Sequence, residues 1–98
     1  MRAGTVACRK TLAGVLAVLS DVDPYGLEPG QPDGAPSDEY EMEAVDLVRI
    51  LLEVGTVTSH DVEAVWMRWF SESLVLRLGP PRTARLVDRL NGLVESAR

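Results

Sequence analysis

Residues 38–54 read DEYEMEAVDLVRILLEV, and the fold turns on this stretch. At about 100° per residue, Tyr40, Ala44, Leu47, Val48, Leu51 and Val54 share one helical face. Met42, Val45, Ile50 and Leu52 carry the apolar arc past half the circumference, leaving Glu39, Glu43, Asp46, Arg49 and Glu53 as a polar stripe. A helix with so wide an apolar arc needs cover on more than one side, so it is expected at the centre of a helical bundle. Ser37 or Asp38 can act as its N-cap, Asp38 and Glu41 have capping-box spacing, and Gly55 supplies the stop. Arg49 and Glu53 form an i,i+4 pair, and the stripe itself is expected to face solvent or a partner.

Upstream, Cys8, Leu12, Val15, Leu16, Leu19 and Val22 keep helical spacing and predict a first helix over about residues 5–21. Gly14 weakens it by about 1 kcal/mol relative to Ala. Cys8 falls on the apolar side and reads as a small buried hydrophobe rather than a reactive thiol. Between the two helices, residues 22–36 hold four Pro and three Gly, a composition that excludes a long helix or paired strand. Asp23-Pro24-Tyr25-Gly26 has the residues of a type I turn, and Gln31-Pro32-Asp33-Gly34 repeats the pattern without a leading Asp. A loop of this length in a small domain is expected to be functional or mobile rather than neutral packing.

Downstream, Thr58 and Asp61 make an N-cap and its N3 partner, with Val57 and Val62 placed as a hydrophobic staple. Val62, Val65, Trp66, Trp69, Phe70 and Ser73 form the inward face of a third helix, extended by Leu74 and Leu78 over about residues 59–78. Gly79-Pro80-Pro81 ends it. Leu86, Val87, Leu90, Leu93 and Val94 predict a fourth helix over about residues 82–97. The reading is an all-α fold: one compact four-helix domain over residues 1–98, with a long Pro/Gly-rich loop between helices one and two.

The 98 residues carry a net charge of −5. That charge is local, since from Thr11 to Val48 there is no Lys or Arg but Asp21, Asp23, Glu28, Asp33, Asp38, Glu39, Glu41, Glu43 and Asp46 are all acidic. An acidic balance argues against nucleic acid as the main partner. With Cys8 as the single cysteine no internal disulfide can form, and a reducing compartment is the default. The run Thr11–Leu19 is too short for a membrane span and has no clear cleavage site after it, so a cytoplasmic protein is expected.

Several motifs weaken on inspection. Asp21, Asp23 and Gly26 resemble the opening of a calcium loop, but Tyr25 and Pro32 stand where oxygen ligands belong. Glu39, Glu43 and Asp46 lack the His that accompanies carboxylates in metal-binding bundles. His60, the one histidine, has no assignable nucleophile or carboxylate beside it. Trp66, Trp69 and Phe70 have the spacing of a core face, with one edge available to a partner or to a homodimer seam on helices three and four. Arg82, Arg85 and Arg89 form a stripe expected to pair with the acidic second helix or to be solvated. No catalytic, cofactor-binding or metal-binding residue is therefore assigned.

The order of features, D-P-x-G at Asp23, Pro24 and Gly26, then D-E-Y at Asp38, Glu39 and Tyr40, and W-x-x-W-F at Trp66, Trp69 and Phe70, resembles a group of small bacterial single-domain proteins of unknown function. Some members of that group look like immunity proteins of interbacterial toxin systems. The resemblance reaches to about Phe70, implies an all-α fold and brings no catalytic residues with it. Together these readings predict a non-enzymatic protein-binding module that masks a basic partner surface, such as a toxin's. Asp23, Tyr25, Glu28, Asp38, Glu39, Glu43 and Asp46 are its expected contact residues, with no cofactor, nucleic acid or membrane involved. The alternatives are a metal-dependent enzyme using the carboxylates of residues 21–46, or a regulatory nucleic-acid-binding module using Arg82, Arg85 and Arg89.

Overall fold

A computed structural model describes residues 2–36 and 39–96, with side chains described over 8–36 and 39–94. All of its regular structure is helical: α1 Arg2–Val22, α2 Glu41–Val54, α3 Ser59–Phe70, α4 Leu74–Leu78 and α5 Pro80–Ser96. Helix α1 packs against α2 and α5, α2 against α3, and α3 and α4 against α5. The radius of gyration is 13.1 Å, the value expected of a close-packed chain of this length.

The core lies between α1, α2, α3 and α5. Val15 and Leu19 of α1, Tyr40, Ala44, Leu47 and Leu51, Val62 and Trp66 of α3, Leu74 of α4 and Leu86 and Leu90 of α5 are essentially inaccessible to water. Gly14 sits where α1 meets α5. A Cβ there would come 3.1 Å from the Leu93 side chain, so the residue that weakens the isolated helix permits the close crossing.

The α2–α3 junction follows the local signals. Gly55 is left-handed, with φ 93°, and its N–H closes on the Leu51 carbonyl at 2.9 Å. The Thr58 hydroxyl accepts from the Asp61 N–H at 3.1 Å while the Asp61 carboxylate accepts from the Thr58 N–H at 2.9 Å, a complete capping box. Val57 and Val62 are both buried beside it.

Elsewhere the structure departs from the predicted bounds. The stretch read as one helix over 59–78 is two, because Ser71 takes a left-handed conformation (φ 55°) that ends α3. Ser73 then caps α4 by accepting from the Leu76 N–H at 3.2 Å. Glu63 of α3 supports the break, accepting from the Ser73 hydroxyl and from the Val75 N–H. Burial pulls the Glu63 pKa upward, but the Ser73 hydroxyl and the Val75 and Leu74 N–H groups outweigh it and hold the carboxyl below its ordinary value. Serine competes for backbone groups and favours caps over helix interiors, so two serines in three residues are enough to divide the run. Among the described residues there are five helices rather than four.

Helix α2 begins at Glu41, not near residue 38. Tyr40 occupies its N-cap without a side-chain bond, and the expected cap residues Ser37 and Asp38 lie outside the described residues. The helix before Gly79 ends at Leu78 as expected, with Gly79 as its C-cap, but α5 opens at Pro80 rather than near residue 82, consistent with proline's tolerance in a first turn. Cys8 is exposed rather than buried. At 21 residues α1 is about 32 Å long against about 21 Å for the 14 residues of α2.

Asn91 of α5 joins the α2–α3 turn to the C-terminal helix. Its carbonyl oxygen accepts from the Val57 N–H at 2.8 Å and the Thr56 hydroxyl at 3.0 Å, and its amide donates to the Val57 carbonyl at 3.0 Å. Asn91→Ala strands the N–H of buried Val57 and leaves its carbonyl only the long 3.5 Å bond from the Thr56 hydroxyl, and is expected to cost about 2 kcal/mol in denaturant unfolding. A loss below about 0.5 kcal/mol would show that water replaces the clamp.

Candidate functional site

The segment after α1 is built around one carboxylate. As α1 ends, Asp23 adopts a left-handed conformation (φ 46°) that Asp tolerates better than most residues, and its N–H still reaches the Leu19 carbonyl at 2.8 Å. The Gly26 N–H turns back onto the Asp23 carbonyl at 3.1 Å. Within that turn the Asp23 Oδ1 accepts from the Leu27 N–H and Oδ2 from the Glu28 N–H, each at 2.9 Å. The Tyr40 hydroxyl, from the start of α2, donates to the same Oδ1 at 2.8 Å and accepts from the Tyr25 N–H at 3.2 Å. The D-P-x-G and D-E-Y segments therefore meet on a fully buried tyrosine.

These contacts set the local titration. Burial pulls the Asp23 pKa upward, but the Glu28 N–H, the Tyr40 hydroxyl and the Leu27 N–H together outweigh it and hold the carboxyl below its ordinary value. Burial drives the Tyr40 hydroxyl far above its usual range, and the Asp23 carboxylate adds to that shift.

The rest of the loop is closed on itself. Ala35 donates to the Leu27 carbonyl and Gly30 to the Ala35 carbonyl, both at 2.9 Å, with turns at Gln31 onto Glu28 and at Gly34 onto Gln31. At Gly34 a Cβ would fall 1.9 Å from the Glu28 carbonyl oxygen, so only glycine fits. Tyr25 anchors the loop to the far side of the molecule. Its ring lies 4.7 Å from that of Phe70, the Arg77 guanidinium sits 4.0 Å above it, and its hydroxyl donates to Glu72 at 3.0 Å. The Arg77 Nε also donates to the Pro24 carbonyl at 2.9 Å.

The expected contact residues separate into distinct groups. Asp23 and Tyr25 organise the loop. Glu28 and Glu39 are exposed, as are Asp33 and Glu41 beside them. Asp38 lies outside the described residues. Glu43 and Asp46, read as a solvated stripe, are buried instead, at 4% and 8% exposure. Helix α3 crosses that edge of α2, and its Trp69 supplies the partner that makes burial tolerable: the indole Nε1 donates to Asp46 at 2.7 Å. Arg68 and Arg49 add ion pairs to Asp46 at 3.7 and 3.9 Å. Arg49 thus leans on Asp46 rather than on Glu53. Glu43 is less well served, since its Oε2 is buried with no hydrogen-bond partner. Desolvation, with the nearby charges of Glu39 and Asp46, raises the Glu43 pKa above its ordinary value despite a bond from its own backbone N–H.

The alternative constellations are also dispersed. Asp21 pairs with Arg89 at 2.6 Å, and Asp23 is spent on the loop, so the two do not converge as calcium ligands. Among the described residues no group of three or more His, Cys, Asp or Glu side chains is placed to hold a metal ion. His60 is exposed on the first turn of α3. Trp66 is enclosed in the core 5.6 Å from Phe70, and Trp69 is only partly exposed. Arg82 donates to the Val22 carbonyl at 3.3 Å, so two of the three arginines in the α5 stripe hold the end of α1 instead of pairing with α2; Arg85 stays exposed. Among the described residues no helix is long and apolar enough to cross a membrane.

Sequence reasoning passed over Asn91, Glu63 and Arg77. Asn91 leaves a faint signal, a polar residue between Leu90 and Leu93 on an otherwise apolar face. Arg77 leaves none, because Pro24 and Tyr25, which it holds, lie more than fifty residues away. Compared with protein families, with curated proteins and with solved structures, the chain matches none of them.

Tyr40→Phe removes both the donor to Asp23 and the acceptor for the Tyr25 N–H, and is expected to lower stability by about 1 to 2 kcal/mol at pH 7. Asp23 contributes stability above its unfolded pKa, and that contribution disappears as pH falls through the depressed folded value. The gap between wild type and Tyr40→Phe should therefore narrow in acid. Glu43 behaves oppositely. Its folded pKa is raised, so its contribution is favourable below about pH 4.5 and lost as pH rises through the folded value. Glu43→Gln should match the wild type near pH 4 and exceed its thermal stability at pH 7.5. A variant equal to or less stable than wild type at both pH values would contradict the unpartnered carboxylate.

Proposed function

We propose that this chain is a non-catalytic protein-binding module of the immunity or antitoxin kind, acting in the cytoplasm by covering a basic surface of its partner. The observation that carries the reading is the set of exposed carboxylates Glu28, Asp33, Glu39 and Glu41, on the first turn of α2 and on the loop before it, whose shape is locked by Asp23 and Tyr40. Exposed charge of one sign speeds association with an oppositely charged surface and sets its orientation. A loop already ordered by internal bonds forfeits little conformational entropy on docking. Tyr25, stacked against Phe70 and held under Arg77, ties that surface to the helices. Glu43 and Asp46 stabilise or strain the scaffold but offer no charge to a partner, and the contact set contracts accordingly to the loop and the first turn of α2. The resemblance in Asp23, Pro24, Gly26, Glu39 and Tyr40 supports the immunity-type reading, and of these Asp23, Gly26 and Tyr40 build the loop's frame while Glu39 is exposed.

The partner to try first is the product of a neighbouring reading frame. With that protein immobilised, Glu28→Lys, Glu39→Lys and Glu41→Lys combined should slow association by about 10-fold or more at low salt, and the difference should shrink as salt is raised. Equal association rates at low salt would remove the acidic loop from the contact.

A further inference from the structure

Asn91 and Gly92 lie side by side in the last two turns of α5. Asn-Gly is a turn-forming pair and a poor one for a helix interior, so these turns open locally more readily than a run of helix formers would. Packing gives no reason for the glycine. At Gly14 a Cβ would press on Leu93, but at Gly92 it would meet nothing within 4 Å, and no left-handed φ is required there. What the missing Cβ leaves is an unshielded backbone nitrogen next to a side-chain amide. That amide is already polarised. Its Oδ1 accepts from the Val57 N–H at 2.8 Å and from the Thr56 hydroxyl at 3.0 Å, while Nδ2 donates to the Val57 carbonyl at 3.0 Å. Two donors on a carbonyl oxygen stabilise the charge that develops there when a nucleophile adds to its carbon.

We propose that Asn91-Gly92 is a self-modification site, at which the Gly92 nitrogen displaces the side-chain amide of Asn91. In the intact helix, ψ at Asn91 turns that nitrogen away from Cγ, and the reaction waits on local opening of the last turns. Asn91 lies before the opened segment, so its clamp persists while the turn unwinds. Solvent hydroxide takes the Gly92 amide proton as the nitrogen bonds to Cγ, and Oδ1 becomes an oxyanion held by Val57 and Thr56. Collapse breaks the Cγ–Nδ2 bond. Nδ2 takes a proton from water and leaves as ammonia, which closes a five-membered succinimide. Water opens that ring at either carbonyl, to aspartate or to isoaspartate at position 91. In sum, one amide and one water become one carboxylate and one ammonium ion. Either product weakens the junction between α5 and the α2–α3 turn. A carboxylate has no donor for the Val57 carbonyl, and isoaspartate adds a methylene to the backbone between Leu90 and Leu93, which both pack on the core.

Ageing the full chain at physiological temperature, with mass spectrometry of the tryptic peptide that follows Arg89, tests the assignment. Folded wild type should gain the acid at position 91, with isoaspartate in the mixture, and faster in mildly alkaline than in mildly acid buffer. Gly92→Ala should slow conversion by about 5-fold or more, the factor by which alanine alone reduces opening of a helical turn. Thr56→Val leaves the Val57 donor in place and should slow it by about 5-fold, through loss of one hydrogen bond to the oxyanion. Converted protein, separated by its added negative charge, should melt about 5 °C or more below the unreacted chain. An Asn91 amide that persists in the folded protein while the denatured chain converts would overturn the proposal, because the helix would then be a shield. So would conversion to aspartate alone, which direct hydrolysis gives without Gly92. A faster reaction in Thr56→Val would overturn activation by the clamp, and equal melting temperatures would overturn its effect on the junction.

Discussion

The contact between Asp23 and Tyr40 is the constraint on which the rest of the architecture depends. One carboxylate accepts two backbone N–H groups from its own turn and a hydroxyl from the start of α2, seventeen residues on. In doing so it ends α1, folds a proline-rich segment that has no regular structure to satisfy its backbone, and sets where α2 begins. A loop rich in proline and glycine otherwise carries a large entropic cost of ordering. Here local hydrogen bonds offset part of that cost, and the Tyr25 contacts with Phe70, Glu72 and Arg77 extend the order across the molecule. The same interaction links the D-P-x-G segment at Asp23 to the D-E-Y segment at Tyr40, so their spacing has a structural explanation before any functional one.

Charge is sorted by the rotation of α2 about its own axis. The buried arc of that helix includes Glu43 and Asp46 and excludes Met42, Val45 and Leu52. Asp46 is compatible with burial because Trp69, Arg68 and Arg49 surround it. Glu43 feels the like charges of Glu39 and Asp46 and has an orphaned oxygen, a local cost that the packing of α2 against α3 must exceed. The consequence is a molecule with two unlike surfaces. One is an acidic, preordered loop. The other is an open apolar trough between α1 and α2, lined by Leu12, Val45 and Leu52.

Much of the fold was readable residue by residue. The heptad-like spacing of Ala44, Leu47, Val48 and Leu51, the Thr58–Asp61 capping box and the Gly55 stop are local signals, and the structure reproduces them. What failed did so where a local preference met a competing local preference or a distant partner. The continuous third helix gave way to serine capping, aided by Glu63 from the preceding turn. The solvated acidic stripe gave way to Trp69, whose indole seeks an acceptor that the neighbouring aliphatic positions cannot offer. Cys8 kept its place on the side of α1 that faces α2 but is exposed, beside the opening it lines with Leu12, Leu52 and Glu53.

Amino-acid order alone determined that the chain is helical, where two of its junctions fall, that residues 23–36 are neither helix nor strand, and that acidity is concentrated in its first half. Periodicity, capping and proline chemistry act within a few residues and need no knowledge of the fold. Which carboxylates remain available and which apolar residues stay exposed was decided only in three dimensions. An apolar arc wider than one neighbour can cover leaves the choice of buried edge to the helices packed around it, and side-chain partners brought from twenty or more positions away make that choice.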